Sequence, residues 1–394
     1  MNAPVTSLPV ARPFADAEYA SRLDRLRAAL EPLAVDALLV QGSRNWYRDH
    51  AIRYLCGYDS PAGAALLYLP LRGGEPVLVI SDEWDRERAT QMARVGEVRA
   101  AGDIASEMRE VLRSRFAGRR LGVAGGECMG FTAMDVLPRD LLGAIREAAP
   151  AVELVDAGGA LLTVRTLRSP VELEKLRRAG KLADVGARAF YATARAGVSE
   201  RDLWSEIWHA MQTAGADDLH ISFCRGPGSF WPHPPSDDVL TEGDIVSVEL
   251  SPRIDGYFSQ ANRMCFVGGN GREWADLERL SIGALDLAKS LMKPGVKAKD
   301  VVAGVSALVA KSPLATMDMG GVHRIGHGCG IALDEGPFLT SGSSSVLQED
   351  MTMALHPMIY LPYRHSLVMI GDYVRITGSG IEVLTEPQTA VPCV

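Results

Sequence analysis

Two domains are predicted, an α/β N-terminal half over residues 1–163 and an α+β C-terminal half over residues 164–394. Three observations predict this. A chain of 394 residues exceeds what one ordinary hydrophobic core encloses. Over roughly the first 150 residues, short apolar runs alternate with helical patterns. Beyond them, long amphipathic helices flank an alternating stretch, Gly243 to Phe266, and a strand-rich tail.

The N-terminal elements follow in order. A helix is predicted over Ala17 to Leu33 and a buried strand over Ala37-Leu38-Leu39-Val40. AIRYLCGY, AALLYLP and PVLVIS are short apolar runs bounded by turn residues, the pattern of buried strands. Helical patterns at Trp84 to Val95 and Ile104 to Arg115 precede two further strands, RRLGVAG and VELVDA. Gly125-Gly126 belongs to no GxGxxG or GxxxxGK[ST] motif and is taken as a turn.

The C-terminal half starts near residues 160–168. Ser169, Pro170 and Glu172 form a capping-box start to a long helix that ends before Gly197. Ser199 and Asp202 open a second helix that ends at Gly215. Then comes GDIVSVELSPRIDGYFSQANRMCF, which alternates, turns at Arg253-Ile254-Asp255-Gly256 and alternates again, a β-hairpin pattern. Side chains on facing strands can project into one cavity, so Glu249 and Gln260 are the expected floor of a site. Helices at Trp274 to Leu291 and Val301 to Lys311 precede the tail.

Composition excludes several classes. Net charge is −8 and the isoelectric point about 5.6, with no Lys/Arg run, so no nucleic-acid partner is expected. No apolar run is long enough to span a bilayer, and no signal peptide is read at the N-terminus. Cys56, Cys128, Cys224, Cys265, Cys329 and Cys393 are scattered without a CxxC, which predicts free thiols in a reduced, cytoplasmic setting.

RTLRSPVELEKLRRAG, GVSERDL, LTEGDIVSVELSPRIDGYFSQANR, HRIGHGCGIALDEGP, LQEDMTMALHPMIYLP and GDYVRITGSGIEVLT occur in one fixed order. Together they resemble the C-terminal domain of the pita-bread family, which contains creatinase, prolidase, aminopeptidase P and methionine aminopeptidase. AIRYLCGYDS resembles the N-terminal domain of its creatinase/prolidase branch. The resemblance implies a pita-bread fold for residues 164–394 and a homodimer, with Trp46, Tyr47 and the Tyr58 to Ser60 loop as candidates to reach the other subunit's site.

The metallopeptidases of that family carry five metal ligands, and the resemblance places them here at Glu249, Gln260, His327, His356 and Gly371. Peptidases have carboxylates at four of these positions; here Glu249 alone is one. Two dications about 3.5–4 Å apart need bridging carboxylates, so a dinuclear centre and metal-activated peptide hydrolysis are not expected, and no cofactor is expected. Creatinase is the family's precedent for a metal-free catalyst, using a histidine that corresponds to His233. Two carboxylates that creatinase is thought to use for its substrate correspond to Asn262 and His356, so a substrate other than creatine is implied.

Each candidate is then given a role. His233, between Pro232 and Pro234, is an acid/base, since imidazole titrates near neutrality. Glu249, His327 and His356 polarise and position the substrate. Glu335 orients His233 or a substrate amine. His323, Gln260, Asn262, Arg263, Trp231 and Arg364 are substrate-binding candidates, the arginines as bidentate carboxylate clamps, with Arg324 beside them. Phe230 and Trp46 are possible walls. His50, His209, His220 and His365 are read as structural or surface residues.

Three functions remain open from the sequence. The first is a metal-independent, creatinase-like hydrolase of a C–N bond in a small polar amino-acid-derived molecule. The second is a hydrolase or lyase with one metal at Glu249, His327 and His356, a set that suits iron, zinc or manganese. The third is a binding protein on a degenerate peptidase fold.

Overall fold

The computed structural model describes residues 13–42, 50–61, 63–125, 132–228, 231–269, 272–318 and 324–394. It divides into two compact units, Met1–Arg165 and Thr166–Val394.

The first unit is a six-stranded mixed sheet with helices. Its strands are β1 (Ala37–Gly42), β2 (Ala65–Pro70), β3 (Val77–Ile80), β4 (Glu97–Ala100), β5 (Arg120–Ala124) and β6 (Glu153–Asp156), in the order β4-β3-β2-β1-β5-β6. β1 pairs antiparallel with β2 and parallel with β5. Its helices are α1 (Asp16–Leu30), α2 (Ala51–Cys56), α3 (Arg86–Met92), α4 (Ile104–Arg115), α5 (Arg139–Ala148) and α6 (Gly158–Thr166), the last of which ends at the unit boundary. Met108, Val111, Leu112, Leu141 and Ile145 from α4 and α5 pack on Leu39, Val79 and Leu121 of the sheet.

The AIRYLC run is a helix, α2, where a strand was expected. A short apolar run buried on all sides has no period that separates the two. Its Tyr54, Leu55 and Cys56 are buried, and Gly57 closes it with φ of +84°.

In the second unit, α7 (Pro170–Thr193) begins as predicted. Ser169 Oγ accepts from the Glu172 amide, and the Glu172 carboxylate accepts from the Ser169 amide at 2.9 Å. α8 (Glu200–Thr213) is capped by Ser199. Both helices cover a sheet of β7 (Asp218–Gly226), β8 (Ile245–Ile254), the short β9 (Tyr257–Phe258) and β10 (Ala261–Phe266), ordered β10-β8-β7 with β9 on β8. The predicted hairpin turn is present: Asp255 and Gly256 have φ of +51° and +83°, the positive pair of a tight hairpin turn.

α9 (Arg272–Leu291) and α10 (Ala298–Val309) share a core with the second sheet. That sheet holds β11 (Arg324–Gly328), β12 (Glu335–Thr340), β13 (Thr352–Leu355), β16 (Asp372–Thr377) and β17 (Gly380–Val383) in the order β12-β11-β13-β16-β17, while β14 (Ile359–Leu361) and β15 (Ser366–Val368) form a separate hairpin. The two larger sheets meet at one bridge. The Asn262 amide donates to Gly371 O at 3.0 Å, and the Gly371 amide donates to Asn262 O at 2.9 Å. Among the described residues, no helix is long and apolar enough to cross a membrane.

Candidate active site

Register builds the floor of the site. Glu249 on β8 lies opposite Ser222 on β7 and opposite Asn262 on β10. Directly opposed residues face the same side of a sheet, so three polar side chains stand abreast. Ser222 Oγ donates to Glu249 Oε2 at 2.6 Å, and Asn262 Nδ2 donates to Oε1 at 3.2 Å. Gln260 sits in the two-residue break between β9 and β10, off the strand on which it was expected. Its Nε2 still reaches Glu249 Oε1 at 3.3 Å. Three donors thus hold one carboxylate, an arrangement of charge-assisted hydrogen bonds. Two positions before Ser222 on the same face, His220 feels the Glu249 charge; burial nevertheless pushes its pKa below the ordinary value.

The histidines come from the second sheet. His327, in β11, is flanked by Gly326 and Gly328, where a Cβ would strike the backbone of Ala354 and of Gly336 at 2.2 and 2.4 Å. Only glycine permits this close approach of strands around the ring. His327 Nδ1 lies 2.9 Å from Gly328 O and 3.6 Å from Asp334 Oδ1. A proton on Nδ1 satisfies Gly328 O, with the Asp334 charge nearby, and leaves the lone pair on Nε2. Burial lowers the pKa of His327 against the opposing pull of Asp334, so the neutral ring is the resident form.

His356 follows β13, its ring 5.2 Å from that of His327 at 70°. It is 3% exposed, and neither ring nitrogen has a hydrogen-bond partner among the described residues. Burial and the neighbouring His327 and Arg324 push its pKa well below the ordinary value. A buried donor without a partner costs about 1–3 kcal/mol.

Other candidates are placed elsewhere. His233 is pinned by backbone hydrogen bonds to Phe223, and its Nδ1 lies 2.8 Å from Pro234 O and 3.8 Å from Glu200 Oε2. Among the described residues, its ring makes no hydrogen bond to Glu249, His327 or His356. Glu335 does not orient His233: its buried carboxylate pairs with Arg168, which also donates to Thr352 Oγ1 and Cys329 O. Arg263 is not a substrate clamp. Its guanidinium donates to Gly371 O at 2.5 Å, Glu386 O at 2.6 Å and Asp372 Oδ1 at 3.3 Å, so its fork is occupied inside the core. Arg364 donates to Gly243 O and stacks over Trp274 with 4.7 Å to the ring centroid, a packing role in place of the expected clamp. Trp231, a substrate-binding candidate, is 54% exposed. His323, Phe230, Trp46, Tyr47 and Cys128 lie outside the described residues.

Sequence reading passed over three residues of this cluster. Asp334 lies within HRIGHGCGIALDEGP and was given no role, yet it is the acid beside His327 and is held by Arg324 Nη2 at 2.8 Å. Ser222 and His220 carried no motif; the alternation of LHISFC, with His220 and Ser222 two apart, was the available signal.

Residues 174–378 match the model of metallopeptidase family M24, and residues 22–168 match the creatinase/prolidase N-terminal domain. The chain belongs to metallopeptidase family M24. An uncharacterized peptidase of Bacillus subtilis is 26% identical over 92% of this chain and 97% of its own length. A probable dipeptidase of Mycobacterium tuberculosis, PepE, is 30% identical over 66% of this chain and 68% of its own. Among solved structures, dipeptidase PepE of Mycobacterium ulcerans matches with a TM-score of 0.80 at 26% identity, covering 98% of this chain and all of that one. An Xaa-Pro dipeptidase of Bacillus anthracis matches with a TM-score of 0.81 at 23% identity over 95% of this chain, a likeness of fold. The pita-bread fold with its N-terminal companion domain is therefore the fold of this M24 member, and its relatives support a hydrolase. At the M24 ligand positions the side chains are those described above. Among the described residues, no group of three or more His, Cys, Asp and Glu side chains is spaced to hold a metal ion.

Proposed function

We propose that the chain is a hydrolase that cleaves a C–N bond of a small, polar, amino-acid-derived substrate by histidine-based proton transfer, without a pair of metal ions. One observation carries the reading: the donor chemistry at the five inherited positions. Glu249 is the sole carboxylate there, and its oxygens already accept from Ser222, Gln260 and Asn262. Gln260 turns its amide N–H toward that carboxylate, and Gly371 offers no side chain. Two dications need bridging carboxylates, and these residues do not fit such a pair.

In this reading His327 presents Nε2 as a base beside His356, whose unpartnered nitrogens polarise or orient the substrate. His233 supplies or removes the second proton from the loop after β7. Ser222, Gln260 and Asn262 hold Glu249 in place. The reading includes a homodimer, as the resemblance implies, and a cytoplasmic setting; sedimentation of the purified chain tests the first.

The experiment is a panel of small amides, guanidino acids and Xaa-Pro dipeptides, assayed for released amine with and without EDTA. The reading expects turnover of a small compound that EDTA leaves intact and that His233→Ala and His327→Ala each abolish. Xaa-Pro dipeptide cleavage lost on chelation would end it.

The edge-to-face pair of His327 and His356, rings 5.2 Å apart, favours a second reading, in which the two rings and Glu249 rearrange to hold one metal ion. Stoichiometric metal in protein purified without chelators, lost in His327→Ala, would decide for it.

A further inference from the structure

The motif GVSERDL contributes a residue that the site description leaves without a role. Glu200 is the first residue of α8, yet it is 1% exposed. A buried carboxylate persists only where donors surround it. Glu200 Oε2 accepts from the Ser236 amide at 2.9 Å and from Ser236 Oγ at 2.7 Å. Its Oε1 lies 3.4 Å from Arg225 Nε. The Glu200 amide donates to Asp238 O at 3.0 Å, and the next amide, of Arg201, donates to Ser236 O at 3.0 Å. The bonds to Ser236 and Asp238 hold one segment, residues 231–239, which contains His233 and has no helix or strand of its own, while Arg225 ties Glu200 to β7.

The other edge of that segment is fixed to β7. The Phe223 amide donates to His233 O at 2.9 Å, and the His233 amide donates to Phe223 O at 2.8 Å. The segment is thus strapped between β7 and the start of α8. Both groups near His233 Nδ1 are acceptors, Pro234 O at 2.8 Å and Glu200 Oε2 at 3.8 Å. A ring flanked by acceptors on one nitrogen keeps its proton there and offers the other nitrogen's lone pair. The side chain of His233 is 32% exposed, so the ring is not sealed in the core.

We propose that Glu200 is a positioning residue for His233: through Ser236 and its own carboxylate it fixes the loop and the ring so that Nδ1 carries the proton and Nε2 is presented. The assignment rests on the reading of His233 as a proton-transfer group, but its test needs no substrate.

The test is the nitrogen-15 spectrum of the full chain labelled at histidine, with His233 assigned by its loss in His233→Ala. The expected wild-type signature is a single Nδ1–H tautomer. Glu200→Ala is expected to replace it with averaged shifts of both tautomers while the other histidine signals stay in place, and Glu200→Gln, which keeps an acceptor for Ser236, is expected to restore it. Because removing a buried carboxylate can cost the fold, Ser236→Ala is measured in parallel and is expected to shift the His233 signal in the same direction. A wild-type Nε2–H tautomer, or a His233 signal unchanged in Ser236→Ala, overturns the assignment. A signature that behaves as expected beside a His233→Ala enzyme of full turnover leaves the positioning intact and removes the catalytic reading instead.

Discussion

Gly371 lies directly against His356: a Cβ on residue 371 would lie 2.6 Å from the Cβ of His356. It would also lie 2.7 Å from Leu355 O and 3.0 Å from Asn262 Oδ1. The backbone at 371 therefore packs with room for glycine alone against its neighbours, and a side chain can be placed there only if those neighbours shift.

Gly371→Ala is accordingly expected to destabilise the C-terminal unit by about 1–3 kcal/mol, the usual range for overpacking. Adding His356→Ala is expected to recover little, because the clash is with the Cβ that alanine retains. Urea unfolding of the two variants and the double variant checks this.

Arg263→Ala is expected to cost about 1–3 kcal/mol, because it leaves the buried carbonyls of Gly371 and Glu386 without their donor, while the Asp372 carboxylate keeps Lys289 Nζ at 2.6 Å. Arg263→Lys is expected to recover only part, since a point charge does not reproduce the fork. The midpoint of urea unfolding reads both, and a variant of wild-type stability would return Arg263 to the list of free clamps.

The same reasoning applies to Glu335. Its partner Arg168 is buried with it, so Glu335→Ala is expected to lose about 3–5 kcal/mol. Glu335→Gln, where folded, is expected to keep the thermal shift produced by any ligand of the site. Loss of that shift at unchanged stability would restore a substrate role.

Much of this arrangement was legible in the sequence. The alternation of Gly243–Phe266 set the hairpin and the strand that carries Glu249, and the glycines around His327 signalled close strand approach. What the sequence could not supply was pairing. The arginine forks look alike until burial shows Arg263 spent on carbonyls and Arg364 stacked on Trp274. Asp334 and Glu335 are adjacent, and strand geometry alone decides that the first turns to His327 and the second to Arg168. The helix at Ala51–Cys56 was misread because all its residues but Arg53 are buried, which leaves no helical period to read.

Stability is expected to fall on acidification. Burial holds His327 and His356 below the ordinary histidine value of 6.5. Above 6.5 the rings are neutral in both folded and unfolded chains. As the pH drops through that value, the unfolded chain takes up protons that the folded rings refuse, and stability is lost by up to about 1.4 kcal/mol per pH unit for each ring. His356→Gln is expected to show a shallower decline below pH 6.5 than the wild type. Identical slopes in urea titrations across that range would contradict the burial of a neutral His356.

The central claim is that a site with Glu249 as its single inherited carboxylate cannot neutralise two dications. Elemental analysis of protein purified without chelators, repeated after incubation with excess manganese, cobalt or zinc and gel filtration, tests it most directly. The account predicts fewer than two tightly held metal ions per chain under every condition. Two ions per chain, retained through gel filtration and released in His327→Ala, would contradict it.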